Sequence, residues 1–242
     1  MKKSIALLMA FLLTFSLCAC GADQQNSTSP GSSSDNTASV SSESSSNADA
    51  SSSENAANTP AGGSDILIAY FSWADNAVID GEVDAVASPS VTSPGHVAQL
   101  APWVQAQTGG DLFSIRVTEP YSSDWDTCLA RANQERSENA RPALTENVEN
   151  IQNYDVVFLG YPNWWYGAPM ALLSFIEEND LANKQIYLFC SHGTGGLAGS
   201  VEDIEAVLPD SAVLSDNVFD VYEEDAASSQ RDILNWLSEL GY

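Results

Sequence analysis

The sequence predicts an open, doubly wound α/β sheet of five parallel strands in the order 2-1-3-4-5, with helices on both faces. Three observations lead there. From Asp65 onward, short continuous apolar runs alternate with stretches of helical period, and continuous apolar runs are what strands covered on both faces require. Strand–helix alternation favours parallel strands joined by helical crossovers. About 178 residues follow residue 64, which suits one domain around one sheet.

Each element has its own signal. Residues 66–71 (Ile-Leu-Ile-Ala-Tyr-Phe) form the first strand. Val97, Leu100, Ala101 and Val104 share one helical face, and Pro102 within it predicts a kink or a broken start. Residues 112–115 are a second strand, less hydrophobic and so placed toward an edge. A helix over 125 to about 136 would turn Cys128, Leu129 and Ala132 inward. The third strand is 156–159. Met170, Leu173 and Ile176 then mark a helical stripe that Leu172 and Phe175 broaden. Residues 186–190 are the fourth strand, and Ser200-Val201-Glu202-Asp203 reads as an acidic capping box opening the next helix. Residues 212–214 and 218–219 both qualify for a fifth strand. Ile233, Trp236, Leu237 and Leu240 fall at i, i+3, i+4 and i+7 of a closing helix.

The first 64 residues are different. Lys2 and Lys3 precede an apolar run over 5–19 that ends in Leu17-Cys18-Ala19-Cys20-Gly21. The run is shorter than the roughly 20 residues of a membrane-spanning helix, and its flanks read as a secretory signal. The small residues before Cys20 resemble a bacterial lipoprotein box, which implies a lipid on Cys20 as the first mature residue. An uncleaved anchor is the alternative. Either way the expected location is extracytoplasmic, on a bacterial membrane, held through the N-terminus only. Residues 20–64 are rich in Ser, Asn, Ala and acids; such a stretch buries too little to offset chain entropy. It reads as a disordered tether with a reach of about 35 Å.

Charge and rare residues narrow the function. The net charge is -25. Removing residues 1–19 takes Lys2 and Lys3 and no acid, which leaves -27. Nucleic acid and anionic lipid would be repelled; a basic protein partner would be attracted. Cys128 and Cys190 lack CxxC spacing and read as small buried apolar residues. The two histidines, His96 and His192, have no ligand cluster around them, so no metal site is expected. No nucleophile elbow or Walker loop is present, which argues against hydrolysis.

Two loops carry the chemistry. Pro162-Asn163-Trp164-Trp165-Tyr166-Gly167 follows the third strand, and Ser191-His192-Gly193-Thr194-Gly195-Gly196 follows the fourth. Aromatic faces beside backbone amides suit a flat heterocycle with polar edges, and ligands of open α/β sheets sit at the strands' carboxyl ends. Together with residues 65–72, Ala168-Pro169-Met170 and Gly199-Ser200, these loops resemble the flavodoxin-like family of FMN proteins over residues 65–242. The resemblance implies non-covalent FMN held at three loops. Ser72, Trp73, Ala74, Asn76 and Ala77 would take the phosphate beside a helix N-terminus. Trp164 or Trp165 would lie near the isoalloxazine, with Pro162, Asn163, Tyr166 and Gly167 shaping that loop. Ser191 to Gly196 would offer amides to the pyrimidine edge.

The first of these loops departs from the family pattern Ser/Thr-x-Thr-Gly-Asn-Thr. It reads Ser72-Trp73-Ala74-Asp75-Asn76-Ala77, so two hydroxyls and the glycine are missing and Asp75 brings a carboxylate toward the phosphate. Thr92 and Ser93, just before the next helix, are candidates to restore the hydroxyls. The inserted stretch from Val78 to about Pro94 reads as a surface loop. Within it, Asp84 and Ser90 faintly match an acceptor segment for phosphoester-linked FMN. His192 is a candidate proton donor or a loop residue bonding a carbonyl. The expected function is electron transfer, as a carrier with a redox partner or as a reductase of a small quinone-like acceptor. The alternative is a surface binding module that keeps the fold and has lost tight FMN binding.

Overall fold

A computed structural model describes residues 65–79, 81, 83 and 88–242. The expected signal segment, Cys20, the expected tether and Asp84 lie outside the described residues. In chain order the elements are β1 (Ile66–Phe71), β2 (Ala77–Val78), α1 (Ser88–Val91), α2 (His96–Thr108), β3 (Asp111–Ile115), β4 (Tyr121–Ser122) and α3 (Trp125–Ser137). They continue with β5 (Val156–Pro162), α4 (Met170–Glu178), β6 (Gln185–His192), α5 (Ser200–Glu205), β7 (Val213–Leu214), β8 (Phe219–Tyr222) and α6 (Gln230–Glu239). Short 3-10 turns occupy Ala74–Asn76, Ile151–Asn153 and Glu223–Ser228.

The main sheet is parallel and runs β3-β1-β5-β6-β7, with β8 also paired to β6. This is the expected order, with the weakly apolar strand at an edge. The fifth position, however, is split. β7 pairs with Gln185 and Ile186 at the start of β6, and β8 pairs with Phe189 to His192 at its end. Both candidate segments therefore form, and the sheet has six strands rather than five. A second, two-stranded parallel sheet of β2 and β4 was not expected from the sequence.

Strand periodicity divides the core in two. Leu67, Ala69 and Phe71 of β1 join Leu159, Leu188 and the inner faces of α3, α4 and α5. Ile66 and Ile68, with Phe158 and Phe189, pack under α2 and α6. A strand's side chains alternate between faces, so one apolar run supplies both layers. On α6, Ile233, Trp236 and Leu237 are buried as the spacing predicts. Each such side chain contributes roughly 1.5–3 kcal/mol of transfer free energy.

Several local expectations change. α2 runs unbroken through Pro102, which lies on its exposed side. The capping box at Ser200 does not form, because Gly199 is the N-cap. Tyr161 and the carbonyl of Leu197 take the Ser200 hydroxyl at 3.0 and 2.6 Å, while Arg136 takes Asp203. On α3, Leu129 is only half-buried. Glu135 is buried there instead, accepting from the Tyr121 hydroxyl at 2.9 Å and from Arg131 at 2.7 Å. Cys128 and Cys190 are buried free thiols. Burial pushes the Cys128 thiol up to about 12, so it stays protonated.

Candidate functional site

β1 connects toward β3 on one side, and β5 and β6 lie on the other, so the carboxyl end of β1 is a topological switch point where such sheets open a crevice. A cleft of about 270 Å³ sits there. Its lining comes from six segments: Trp73 after β1; Ser90 and His96 around the start of α2; Trp125 of α3; residues 162–166 at the end of β5; residues 191–195 at the end of β6; and Tyr222 and Glu223 at the end of β8. A larger hollow of about 470 Å³ lies beside Glu119, Arg131 and Arg141. Its arginines are already paired with Glu135 and Glu177, and it is not at a strand end.

One wall is aromatic and mutually satisfied. Trp164 is 8% exposed and meets Phe71, Trp73 and Tyr121 edge to face, with ring centroids 5.1, 6.0 and 5.0 Å away. Trp73 donates its indole N–H to the Ser122 carbonyl at 3.1 Å. Trp165 packs against Trp164 and Trp125. Trp164 thus acts chiefly as a core plug whose edge reaches the cleft, while Trp165 and Tyr166 stand nearer solvent.

The turn that presents them is strained. Trp164 and Gly167 exchange backbone hydrogen bonds of 2.9 and 3.1 Å, and the two residues between have φ of 47° and 68°. Such a two-residue turn favours Asn-Gly; two bulky aromatics in the left-handed region cost on the order of 1 kcal/mol or more each. Packing holds the turn in place. Asp203 accepts from Ala168 N at 3.0 Å and pairs with Arg136 at 2.7 and 3.1 Å. Gly167 is needed because a Cβ there would overlap the Arg136 guanidinium. The Tyr166 ring then lies over Gly195, 3.1 Å from where a Cβ would stand.

The opposite wall is polar and only partly satisfied. Asn163 N donates to the Ser191 carbonyl at 2.8 Å, and its side-chain amide donates to the Gly196 carbonyl. Its Oδ1 is buried and has no partner. An unmatched buried acceptor is costly, about 1–3 kcal/mol, and it marks a place for a ligand donor. The Glu223 carboxylate lies against Gly193, 3.5 Å from a notional Cβ. Burial, then the charge of Glu224, raises its pKa, and His192 opposes this.

Of the residues expected at the cofactor, Trp73, Pro162, Asn163, Trp164, Trp165, Tyr166, Ser191, His192, Gly193, Thr194 and Gly195 line the cleft. Ser72, Ala74, Asn76, Ala77, Gly167 and Gly196 do not. Asn76 works as a clamp: its amide donates to the carbonyls of Ser72 and Ile115, both at 2.9 Å, and its Oδ1 accepts from Val117 N at 2.8 Å. Asp75 turns away to Ser114 at 2.6 Å and Arg116 at 4.0 Å, so it brings no charge to the cleft. Ser72 is buried under Gly95, and Ala77 is consumed by β2. His192 has both ring nitrogens engaged, one with the Gly193 carbonyl at 2.7 Å and one with Asp220 at 2.8 Å. It anchors its loop rather than presenting a free proton donor.

Five lining residues were not legible as a group. Thr92 and Ser93 are exposed; Ser90 and His96 reach the cleft instead, so the end of the insertion is a cleft wall and not a plain surface loop. Trp125 arrives from α3. Tyr222 and Glu223 could have been found only by knowing that β8 ends beside His192. Among the described residues no cluster could hold a metal ion, and no helix is long and apolar enough to cross a membrane.

An open parallel sheet with an aromatic and amide-lined crevice at its switch point defines a nucleotide- or flavin-type α/β protein. Residues 84–240 match the family model described as flavodoxin, and the chain belongs to that family. Among solved structures, a Bacteroides eggerthii protein assigned to the flavoproteins is 30% identical, with 70% of this chain and 97% of its own covered and a TM-score of 0.48. A second such protein, from Bacteroides uniformis, is 22% identical over 69% of this chain and 97% of its own, with a TM-score of 0.50. A Lactobacillus acidophilus flavoprotein in complex with FMN is 15% identical over 69% and 97%, with a TM-score of 0.47. A search among curated proteins gave no match.

Proposed function

We propose that this chain is an FMN-binding electron-transfer flavoprotein, exported and held on the outer face of a bacterial membrane by a lipid on Cys20. The observation that carries the cofactor reading is a crevice at the strands' carboxyl ends lined by aromatic side chains, by the glycine-rich loop and by Asn163, whose buried Oδ1 has no partner. FMN has the flat ring and the polar edge that such a pair of walls accepts, and membership of the flavodoxin family supports the choice. Bound FMN supplies reversible one- and two-electron transfer. Trp165 and Tyr166 would flank the ring and limit water at it. The amides of Gly193 and Thr194, with Asn163, would bind its polar edge. The half-buried Glu223 would hold negative charge, or a proton, beside that edge.

The export reading rests on the N-terminal pattern of Lys2-Lys3, the short apolar run and Cys20. Acidity fits a basic redox partner or a small neutral acceptor such as a quinone better than an anionic one. The decisive measurement is the absorption spectrum of the protein purified from its native host. The expected outcome is a yellow protein that releases FMN on denaturation and whose tryptophan fluorescence is quenched on reconstitution. Colourless protein unmoved by micromolar FMN would leave the fold as a binding module. For the tether, Cys20→Ser is expected to move the protein from the membrane fraction to the supernatant.

A further inference from the structure

We infer that the Arg136–Asp203 ion pair is a positioning latch for the cleft, holding the aromatic turn after β5 in a fixed place against the glycine-rich loop after β6; this rests on the reading that the cleft takes FMN. Neither residue lines the cleft. Arg136 comes from the last turn of α3 and Asp203 from α5. They meet as a fork, Nη1 donating to Oδ2 at 2.7 Å and Nη2 to Oδ1 at 3.1 Å. Asp203 Oδ2 also accepts from Ala168 N at 3.0 Å. Gly167, just before Ala168, lies so close to the guanidinium that a Cβ there would overlap it. On the other side of Gly167, the Tyr166 carbonyl accepts from Gly199 N at 3.3 Å. Gly199 is the N-cap of α5 and follows the glycine-rich loop in the chain. The turn is therefore fastened on both sides of Gly167 to the segment that continues the opposite wall.

A partly exposed ion pair ordinarily contributes little to stability. This one is bidentate, the strong form of the contact, and its carboxylate ties down a backbone amide as well. What it holds is a conformation that two bulky residues resist, with φ of 47° at Trp165 and 68° at Tyr166. Arg136, Trp164 and Trp165 also line one small gap behind the turn. The neighbouring arginine pairs do no such thing: Arg131 bonds Glu135, Glu119 and Pro120, and Arg141 bonds Glu177, Asn139 and Ala140. Without the carboxylate of Asp203, Ala168 N loses its acceptor and the turn relaxes toward ordinary backbone angles. The Tyr166 ring then loses its fixed place over Gly195. A flat ring gains from aromatic contact only where that contact is already in place. Arg136 and Asp203 thus act on the flavin ring through the turn, and they leave its phosphate alone.

The test measures FMN and riboflavin affinity on the full chain by quenching of flavin fluorescence. Asp203→Ala should weaken both flavins roughly tenfold or more, the loss expected for hydrogen bonds to a charged group. The ratio of the two affinities should stay within about twofold of wild type, because the latch acts on the ring they share. Asp203→Asn keeps an acceptor for Ala168 N and should recover most of the loss. Arg136→Lys keeps the charge without the fork and should cost about fivefold. Glu177→Ala breaks the fork with Arg141, away from the cleft, and should change neither affinity. Wild-type affinity in folded Asp203→Ala protein would overturn the latch, and so would an equal loss in Glu177→Ala. If Asp203→Ala does not fold, wild-type affinity in Arg136→Lys overturns it. A second readout needs no flavin. Trp165 packs 5.1 Å from Trp164 and 5.9 Å from Trp125, so the near-ultraviolet circular dichroism of the free chain reports the turn. That signal should weaken in Asp203→Ala while the far-ultraviolet spectrum is kept; an unchanged signal overturns the latch. Wild type that binds neither flavin, with the indole signal still lost in Asp203→Ala, would sink the FMN reading and support the latch.

Discussion

The two walls of the cleft solve opposite problems. On the aromatic wall, Phe71, Trp73, Tyr121, Trp125, Trp164 and Trp165 satisfy one another, and the one indole N–H on Trp73 has a carbonyl partner. On the polar wall, Asn163 Oδ1 is left without a partner although almost no water reaches it. Dense packing makes a wall rigid before anything binds. Unpaired buried polar atoms make a wall that is completed only by a ligand, and they store part of the binding energy as relief of an existing cost. Rigidity and recognition are thus assigned to different residues, and substitutions should separate them.

Trp164→Ala should break the rigid wall outright. A large, nearly buried indole is removed from four aromatic neighbours, and the expected loss is about 3–5 kcal/mol of folding stability, read by denaturant unfolding. Loss of flavin binding in that variant would report instability, not stacking. Tyr166→Ala separates the effects. Tyr166 is 69% exposed, so stability should change by no more than about 0.5 kcal/mol. FMN affinity should nonetheless fall by about 1–3 kcal/mol if the ring stacks on the ligand. Equal affinity would move the stacking role to Trp165.

The smallest expected effect concerns pH. Burial holds the folded His96 pKa below its unfolded value of about 6.5. Its contribution to stability is therefore complete above pH 6.5 and is lost as pH falls through the folded value. Glu223 acts in the opposite sense, since its raised folded pKa favours the native state at lower pH. The difference in unfolding free energy between wild type and His96→Gln cancels that term. It should shrink as the solution is acidified below pH 6.5, read by denaturant unfolding at each pH.

Much of this was legible residue by residue. The loops after β5 and β6 announced themselves because aromatic and glycine clusters follow strands too apolar to lie anywhere but the sheet centre. The loop after β1 misled. Asn76 matches the family pattern, yet its amide ties the loop to the end of β3. Asp75 looks repulsive, yet Ser114 and Arg116 draw it away. Neither partner is near in sequence, and side-chain hydrogen bonding depends on what the fold brings within about 3 Å.

The sequence by itself determined the alternation of strands and helices, the two-faced core and the end of the sheet where a ligand belongs. Those follow from the period and continuity of apolar side chains, which are local properties of the chain. Only the tertiary structure decided that β7 and β8 share one edge of β6, and that His96, Ser90, Tyr222 and Glu223 complete the cleft. Such groups come together through packing between distant segments, and no short-range pattern records which polar atoms that packing leaves unpaired.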